Sequence, residues 1–304
     1  MCEVLNIARS SYYKWMNRKE TEEEIENNRL AHIVLEYDEL FGHILGYRRM
    51  TEWINKINNF DYNRKRVYRV MKLLGIKSKI RISRPRYQKS TPEVTSENLL
   101  KRDFSSSAPN QKWLTDVTEF KIKGTSRKLF LCAIIDLYDM SIVAYKTGSS
   151  NNNELVFNTF KEAFQNNPGA SPLVHSDKGS QFTSPSFKTI LDNHDSVQSM
   201  SRVGHCIDNG PIEGFWGIIK SEMYYLNVFK SYFSLKESIE KYIHFYNNNR
   251  LQKRFNNQSP LEVRKQALQT DEPKQYPIAF NKKINDFWEN IRIKQLEQLS
   301  QLQA

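Results

Sequence analysis

The chain has 304 residues, 39% hydrophobic and 12% aromatic, and carries a net charge of +11. That length suits two domains, or one domain with appendages, and the apolar content is enough for a real core. The positive balance points to a polyanionic partner, and no apolar run approaches the roughly 20 residues that would span a bilayer.

The start, Met1-Cys-Glu-Val-Leu-Asn-Ile, has neither the basic opening nor the long apolar stretch of a signal peptide, so a cytoplasmic location is expected. Cys2, Cys132 and Cys206 are too few and too scattered for a disulfide framework or a zinc motif.

The first third reads as helical. A turn at Ile7-Ala-Arg-Ser leads into a short helix at Ser11-Tyr-Tyr-Lys-Trp15. A Glu-rich start at 20–26 opens a segment with Ile33, Val34, Leu35 and Leu40 among its apolar positions, and Gly42 and Gly46 mark the join to Tyr47. A further helix begins near Asn63, runs through Val67, Val70, Met71 and Leu74, and stops at Gly75.

Between Tyr62 and Ser90 stand eleven Lys or Arg and no Asp or Glu. A solvated helix face with a basic linker is the plain reading. One-sided charge over that length favours a phosphate-contacting helix and arm, with Arg64, Lys65, Arg66, Arg69 and Lys72 as candidates. Residues 1–87 are therefore taken as a helix-turn-helix-type DNA-binding region, and the polar, Ser-rich stretch 88–110 as a linker.

From residue 111 the pattern changes. Strands are expected at Leu114–Ile122, Arg127–Asp136 and Ser141–Lys146, then a helix at Asn153–Phe164 with apolar Leu155, Val156, Phe160 and Phe164. A short strand follows at Leu173-Val-His, then a helix at Pro185–Asn193 and an edge strand at Ser196–Ser201. A longer helix starts at Pro211, where the missing N–H costs nothing. This succession is that of an RNase H-like α/β fold, a mixed five-stranded sheet with flanking helices, over 111–267. Residues 268–304 form a C-terminal extension with a polar, Gln-containing helical stretch that could mediate self-association.

Three carboxylates fall at useful places on this map. Asp116 lies in the first strand, Asp177 just after the fourth and Glu213 in the first turn of a helix, with thirty-five residues between the last two. Acidic residues brought together by a fold can hold divalent metals about 3.5–4 Å apart and drive in-line displacement at phosphorus. Hard oxygen ligands suit Mg²⁺ or Mn²⁺, here two ions. Lys220 lies two turns after Glu213 on roughly the same face and could contact a phosphate. Taken singly each carboxylate has an ordinary reading: a surface Asp, a turn at Asp177-Lys-Gly, a favourable charge at a helix N-terminus. Their ordered conjunction is what points to a site.

Asp136 reads as a turn-former, and Asp208-Asn209 as a helix cap. His175, His205 and Asn209 flank the site in sequence. Supporting roles around the carboxylates and simple packing both remain open for the histidines.

At these motifs the chain resembles the OrfB-type transposases of bacterial insertion sequences (the IS-three group), relatives of retroviral integrases. The matching phrases are Trp113-Leu-Thr-Asp-Val-Thr, Ala133-Ile-Ile-Asp-Leu-Tyr, His175-Ser-Asp-Lys-Gly-Ser-Gln-Phe and Asp208-Asn-Gly-Pro-Ile-Glu-Gly-Phe-Trp-Gly-Ile-Ile-Lys-Ser-Glu. Tyr242-Ile-His-Phe-Tyr-Asn-Asn-Asn-Arg250 and Gln258-Ser-Pro-Leu-Glu-Val-Arg264 match downstream, and Leu45-Gly-Tyr-Arg-Arg-Met-Thr and Asn63-Arg-Lys-Arg-Val-Tyr-Arg-Val-Met upstream.

The resemblance implies that Asp116, Asp177 and Glu213 are catalytic metal ligands acting on double-stranded DNA. Water first cuts a strand at the element's end, and the freed 3′-hydroxyl then attacks another phosphodiester. In this group the first attack joins one end to the other, giving a circular intermediate. A homo-oligomer holding two ends, and an upstream OrfA-type product or fusion, are the implied partners. Gly214 and Trp216 depart from the family pattern, which commonly has a small polar residue and a second aromatic like Phe215 there. A non-catalytic DNA-binding regulator and an RNase H-like nuclease acting on RNA–DNA hybrids are the competing readings.

Overall fold

The computed structural model describes residues 2, 7–80, 99–100, 103–201 and 209–277. They divide into two compact units, one helical and N-terminal, the other built on a sheet.

In the N-terminal unit the helices are α1 (Arg9–Met16), α2 (Glu22–Leu40), α3 (Tyr47–Asn58) and α4 (Arg64–Leu73). A capping box opens α2: Thr21 Oγ1 accepts from the Glu24 amide, and the Glu24 carboxylate accepts from the Thr21 amide. Asn63 Oδ1 accepts from the Lys65 amide at 2.9 Å and opens α4. Gly75 ends that segment at φ 71°, a left-handed conformation that a side chain would strain. Leu30 and Val34 of α2, Met50 and Ile54 of α3, and Val67, Val70 and Met71 of α4 form the buried core. The i, i+3, i+4 spacing in α4 puts its apolar residues on one stripe and leaves the basic ones elsewhere. The part of the basic run at 81–89 lies outside the described residues, as do residues 1 and 3–6.

The second unit carries β1 (Lys112–Lys121), β2 (Lys128–Asp136), β3 (Ile142–Gly148), α5 (Asn153–Asn166), β4 (Leu173–Ser176), α6 (Pro185–Asp192) and β5 (Val197–Met200). Then come α7 (Gly210–Glu222), α8 (Tyr232–Asn248) and α9 (Pro260–Ala267). The five strands form one sheet in the order β3-β2-β1-β4-β5. The first three pair antiparallel, and β4 and β5 run parallel to β1. This is the mixed five-stranded, RNase H-like arrangement expected from the succession of elements.

Alternation along β1 sorts its side chains onto two faces. Trp113 joins Cys132, Ile134, Phe160, Val174 and Phe187 in the core beneath α5 and α6. Leu114, Asp116, Thr118 and Phe120 point the other way, where α7 packs on β1 and α8 on β2 and β3. The sheet therefore has one largely apolar face beneath α5 and α6 and another that presents Asp116 to α7.

The described part of the 88–110 segment is fastened to this unit. Leu100 is buried, and the amides of Leu99 and Leu100 both donate to Ser199 Oγ at 3.1 Å. Of the C-terminal extension, residues up to 277 are described: Tyr138 Oη donates to the Lys274 carbonyl at 2.8 Å, and the Tyr276 ring meets Phe255 at 5.1 Å. The Gln-containing stretch beyond them lies outside the described residues. No described helix is long and apolar enough to cross a membrane.

Candidate active site

β1 and β4 pair in parallel with constant offset: Lys112 faces Leu173, Trp113 faces Val174 and Leu114 faces His175. Carried two residues further, the same offset sets Asp177 level with Asp116. Asp177 is the first residue after β4, exposed at its carboxyl end. Its Oδ1 accepts from the Gly179 amide at 2.9 Å. A side chain at Gly179 would put a Cβ 3.0 Å from that Oδ1 and 2.8 Å from Gln181 Oε1. A side chain at this position would thus crowd the tips of Asp177 and Gln181.

Asp116 is half-buried. Its Oδ1 accepts from the Val117 amide at 2.8 Å, and its Oδ2 from the indole N–H of Trp216 at 2.9 Å. Burial, then the negative charge of Asp177, push its carboxyl up to about 7, against the opposing hydrogen bonds; the charge of Glu213 adds a smaller push. The Asp177 carboxyl is also raised, by partial loss of hydration against the opposing hydrogen bond from Gly179, although the residue as a whole is exposed.

Glu213 is exposed in the first turn of α7. Glu213, Trp216 and Lys220 follow the i, i+3, i+7 spacing of one helix face. Trp216 reaches Asp116, and Lys220 Nζ donates to Thr118 Oγ1 at 2.6 Å while lying 5.4 Å from the centre of the Phe120 ring. So α7 runs alongside β1 in the same direction, and Glu213 precedes Trp216 by one turn. Burial lowers the Lys220 ammonium pKa, and the nearby charges of Asp116 and Glu119 oppose that shift.

The structure thus brings Asp177, just beyond β4, and Glu213, on α7, within electrostatic reach of Asp116 on β1. Among the described residues, no three His, Cys, Asp or Glu side chains stand close enough together to hold a metal ion. The donor set itself fits a hard cation: carboxylates in a strand, just beyond a neighbouring strand and on a helix, with the charges of Asp177 and Glu213 both felt at Asp116. The buried Asn209 Oδ1, which has no hydrogen-bond partner among the described residues, adds an acceptor at the start of α7.

Asn209 holds the N-cap position of α7, but its side chain makes no cap. Its Nδ2 donates instead to the Thr115 carbonyl at 3.3 Å, tying the start of the helix to β1 beside Asp116. The expected side-chain cap is not formed; the side chain is turned toward the strand instead. His175 is fully buried, with Nδ1 2.8 Å from Ser199 Oγ, the same hydroxyl that receives the Leu99 and Leu100 amides. Asp208 and His205 lie outside the described residues.

Asp136 is more than a turn-former. It is fully buried at the end of β2, where it accepts from the amides of Asn110 and Tyr138, the Trp113 indole and Arg264. In the sequence Trp216 stands out only as a departure from the family pattern. Its signal was its place three residues after Glu213, but only the packing of α7 on β1 reveals what it touches.

In the N-terminal unit, Arg64 pairs with Glu52, and Arg66 donates to Asn27 Oδ1 at 2.9 Å. Lys65, Arg69 and Lys72 are exposed on α4.

The sequence matches the "Integrase core domain" family over residues 106–206 and a second family of that description over 213–268, and the "HTH-like domain" family over 26–84. The chain is 38% identical to the InsK protein of insertion sequence element IS150 from Escherichia coli (strain K12), over 73% of this chain and 78% of that protein. It is 39% identical to a transposase-like protein of Haemophilus influenzae, over 68% of this chain and 94% of that one. Among solved structures, the HTLV-2 integrase catalytic core domain in complex with magnesium matches 52% of this chain and 97% of its own, with a TM-score of 0.40 and 20% identity. The chain belongs to the IS3-family insertion-sequence transposases, integrase-core enzymes that cleave DNA and transfer its strands.

Proposed function

We propose that Asp116, Asp177 and Glu213 form the catalytic triad, hold two Mg²⁺ or Mn²⁺ ions, and carry both cleavage and strand transfer at one centre. The supporting observation is the pairing register that sets Asp177 level with Asp116, on the face of β1 along which α7 lies. When bound, the cations supply charge stabilisation for in-line displacement at phosphorus and ease deprotonation of the attacking oxygen.

The chain's own residues do the positioning. The Val117 amide and the Trp216 indole orient the Asp116 carboxylate, and the Gly179 amide orients Asp177. Lys220, fixed by Thr118, offers a cation to a phosphate beside the carboxylates. In the first reaction water bonds to phosphorus, and the 3′-oxygen leaves with a proton. In the second that 3′-hydroxyl bonds to a target phosphorus, and the target's own 3′-oxygen leaves with the proton the hydroxyl gives up. The basic face of α4 grips the element's ends, and two or more copies hold two ends together. An upstream OrfA-type segment contributes to end recognition. The domain limits are 1–87 for the DNA-binding region, 88–110 for the connecting segment, 111–267 for the catalytic core and 268–304 for the extension.

The test is a strand-transfer assay with labelled DNA carrying the ends that flank the gene, in Mg²⁺ or Mn²⁺ with an EDTA control. Metal-dependent joined products are expected. Asp116→Asn, Asp177→Asn and Glu213→Gln are each expected to abolish them while leaving DNA binding nearly intact. A variant that still cleaves removes that residue from the triad. Binding without joining by the unaltered chain would favour a regulator or a missing upstream segment, and adding that segment separates the two.

A further inference from the structure

α7 is linked to the central strand by one polar contact to a candidate metal ligand. The Trp216 indole N–H donates to Asp116 Oδ2 at 2.9 Å, and Trp216 is only 6% exposed. The other oxygen of that carboxylate is held by the amide of its own neighbour, Val117. With one N–H on each oxygen, the plane of the carboxylate is set by the protein alone. Lys220, one turn further along α7, grips Thr118 two residues further along β1. The two contacts fix where α7 sits along the strand. Glu213, one turn before Trp216, is carried by the same helix.

From this geometry we infer that Trp216 is a positioning residue for the metal centre. It holds the Asp116 carboxylate in a ligating orientation and couples it to the helix that delivers Glu213. The inference rests on the triad reading. A hydrogen bond from outside the coordination sphere acts by orienting a ligand before the cation arrives, and losing such a partner typically weakens metal affinity about 10–100-fold. Here one N–H of the two on Asp116 is lost, so the lower end, about 10-fold, is expected.

The experiment is a Mn²⁺ titration of the full-length chain, with free Mn²⁺ read by its electron paramagnetic resonance signal. Trp216→Phe keeps an aromatic ring and removes the donor. A second form replaces Trp216 with β-(3-benzothienyl)alanine, which keeps the bicyclic shape and lacks the N–H, so a packing defect cannot imitate the result. Thermal melting of each form checks the fold. About 10-fold weaker Mn²⁺ binding in both forms, with strand transfer recovering at saturating metal, supports the inference. Unchanged Mn²⁺ affinity in the benzothienyl form overturns it. Asp116→Asn is the separate control: if it binds Mn²⁺ as tightly as the unaltered chain, the triad reading fails, whatever Trp216 does.

Discussion

Arg264 of α9 and Asp136 at the end of β2 lie 128 residues apart in sequence and meet in a buried ion pair of 3.0 Å. The same Nη1 reaches Asp139 Oδ2 at 2.9 Å, and Nη2 reaches Asn167 Oδ1 at 2.7 Å. One guanidinium therefore serves two fully buried carboxylates and ties α9 to the sheet. Burial, with the charge of Asp136, raises the Asp139 carboxyl, and Arg264 opposes that rise.

Removing Arg264 leaves two buried carboxylates without a counter-charge. Arg264→Leu is expected to cost about 3–5 kcal/mol in denaturant unfolding. The raised Asp139 binds a proton more tightly folded than unfolded, so its buried charge weighs on stability as pH rises and is relieved as pH falls. The deficit of the variant should therefore be smaller near pH 5 than near pH 8, by roughly 1 kcal/mol or more. A deficit independent of pH would mean that Asp139 does not gain a proton when its partner is lost.

On α4 the basic residues divide by partner. Arg64 is paired with Glu52, and Arg66 is held by Asn27 and lies 5.7 Å from the centre of the Tyr62 ring. Lys65, Arg69 and Lys72 follow the spacing of one exposed face. If that face grips phosphate, replacing all three with Ala should flatten the log–log salt dependence of DNA binding by roughly 2–3, at about 0.9 per phosphate contact. Replacing Arg64 and Arg66 should chiefly destabilise the N-terminal unit. A salt slope that changes only in the second pair would exchange these roles.

Much of the catalytic unit could be read before the fold was known, because its signals are local. Alternation and apolar runs located β1 and β2 to within two residues at each end. Asp116 and Asp177 stood out because each sits in a distinctive phrase at a strand or just beyond one. What could not be read depends on long-range contact. The basic run around Arg64 gave no hint that Glu52 and Asn27 would engage two of its members. Arg264 lay in a matched phrase with no partner in view, since Asp136 and Asp139 reach it only through the sheet. The helical spacing put Trp216 and Lys220 on the face of Glu213, but the strand beneath that face is chosen by tertiary packing.

Gly179 tests how tightly the Asp177 carboxylate is wrapped. Its amide donates to Asp177 Oδ1, and an added Cβ would lie 2.8 Å from Gln181 Oε1 and 3.0 Å from that Oδ1. Gln181 has little freedom to retreat, because it is buried and its Nε2 donates to the Asn151 carbonyl at 3.2 Å. Gly179→Ala should therefore displace the carboxylate rather than unfold the domain. Strand transfer should fall about 100-fold, the scale of a displacement near 1 Å at a reacting centre. Thermal melting should move little. Full activity in this variant would show that the loop relaxes without disturbing Asp177.

The half-buried Asp116 carboxyl, pushed up to about 7, makes the stability of the metal-free protein depend on pH. An unfolded aspartate titrates near 3.9, so between about pH 4 and pH 7 the folded state binds more protons than the unfolded one. Stability from this group therefore falls as pH rises through that window and levels off above it. At about 1.4 kcal/mol per pKa unit the change is of order 2–4 kcal/mol. Asp116→Asn keeps an acceptor for the Trp216 indole but cannot ionise. In EDTA it should unfold at higher denaturant than the unaltered chain near pH 8, and the difference should shrink near pH 5. Mg²⁺ should narrow the difference near pH 8, since a cation held at 100 times its dissociation constant stabilises the folded state by about 2.7 kcal/mol. The asparagine variant, having lost a ligand, should gain less. A variant less stable than the unaltered chain in EDTA near pH 8 would mean that the charge on Asp116 is welcomed by its surroundings, and that the crowding of carboxylates does not strain the empty fold.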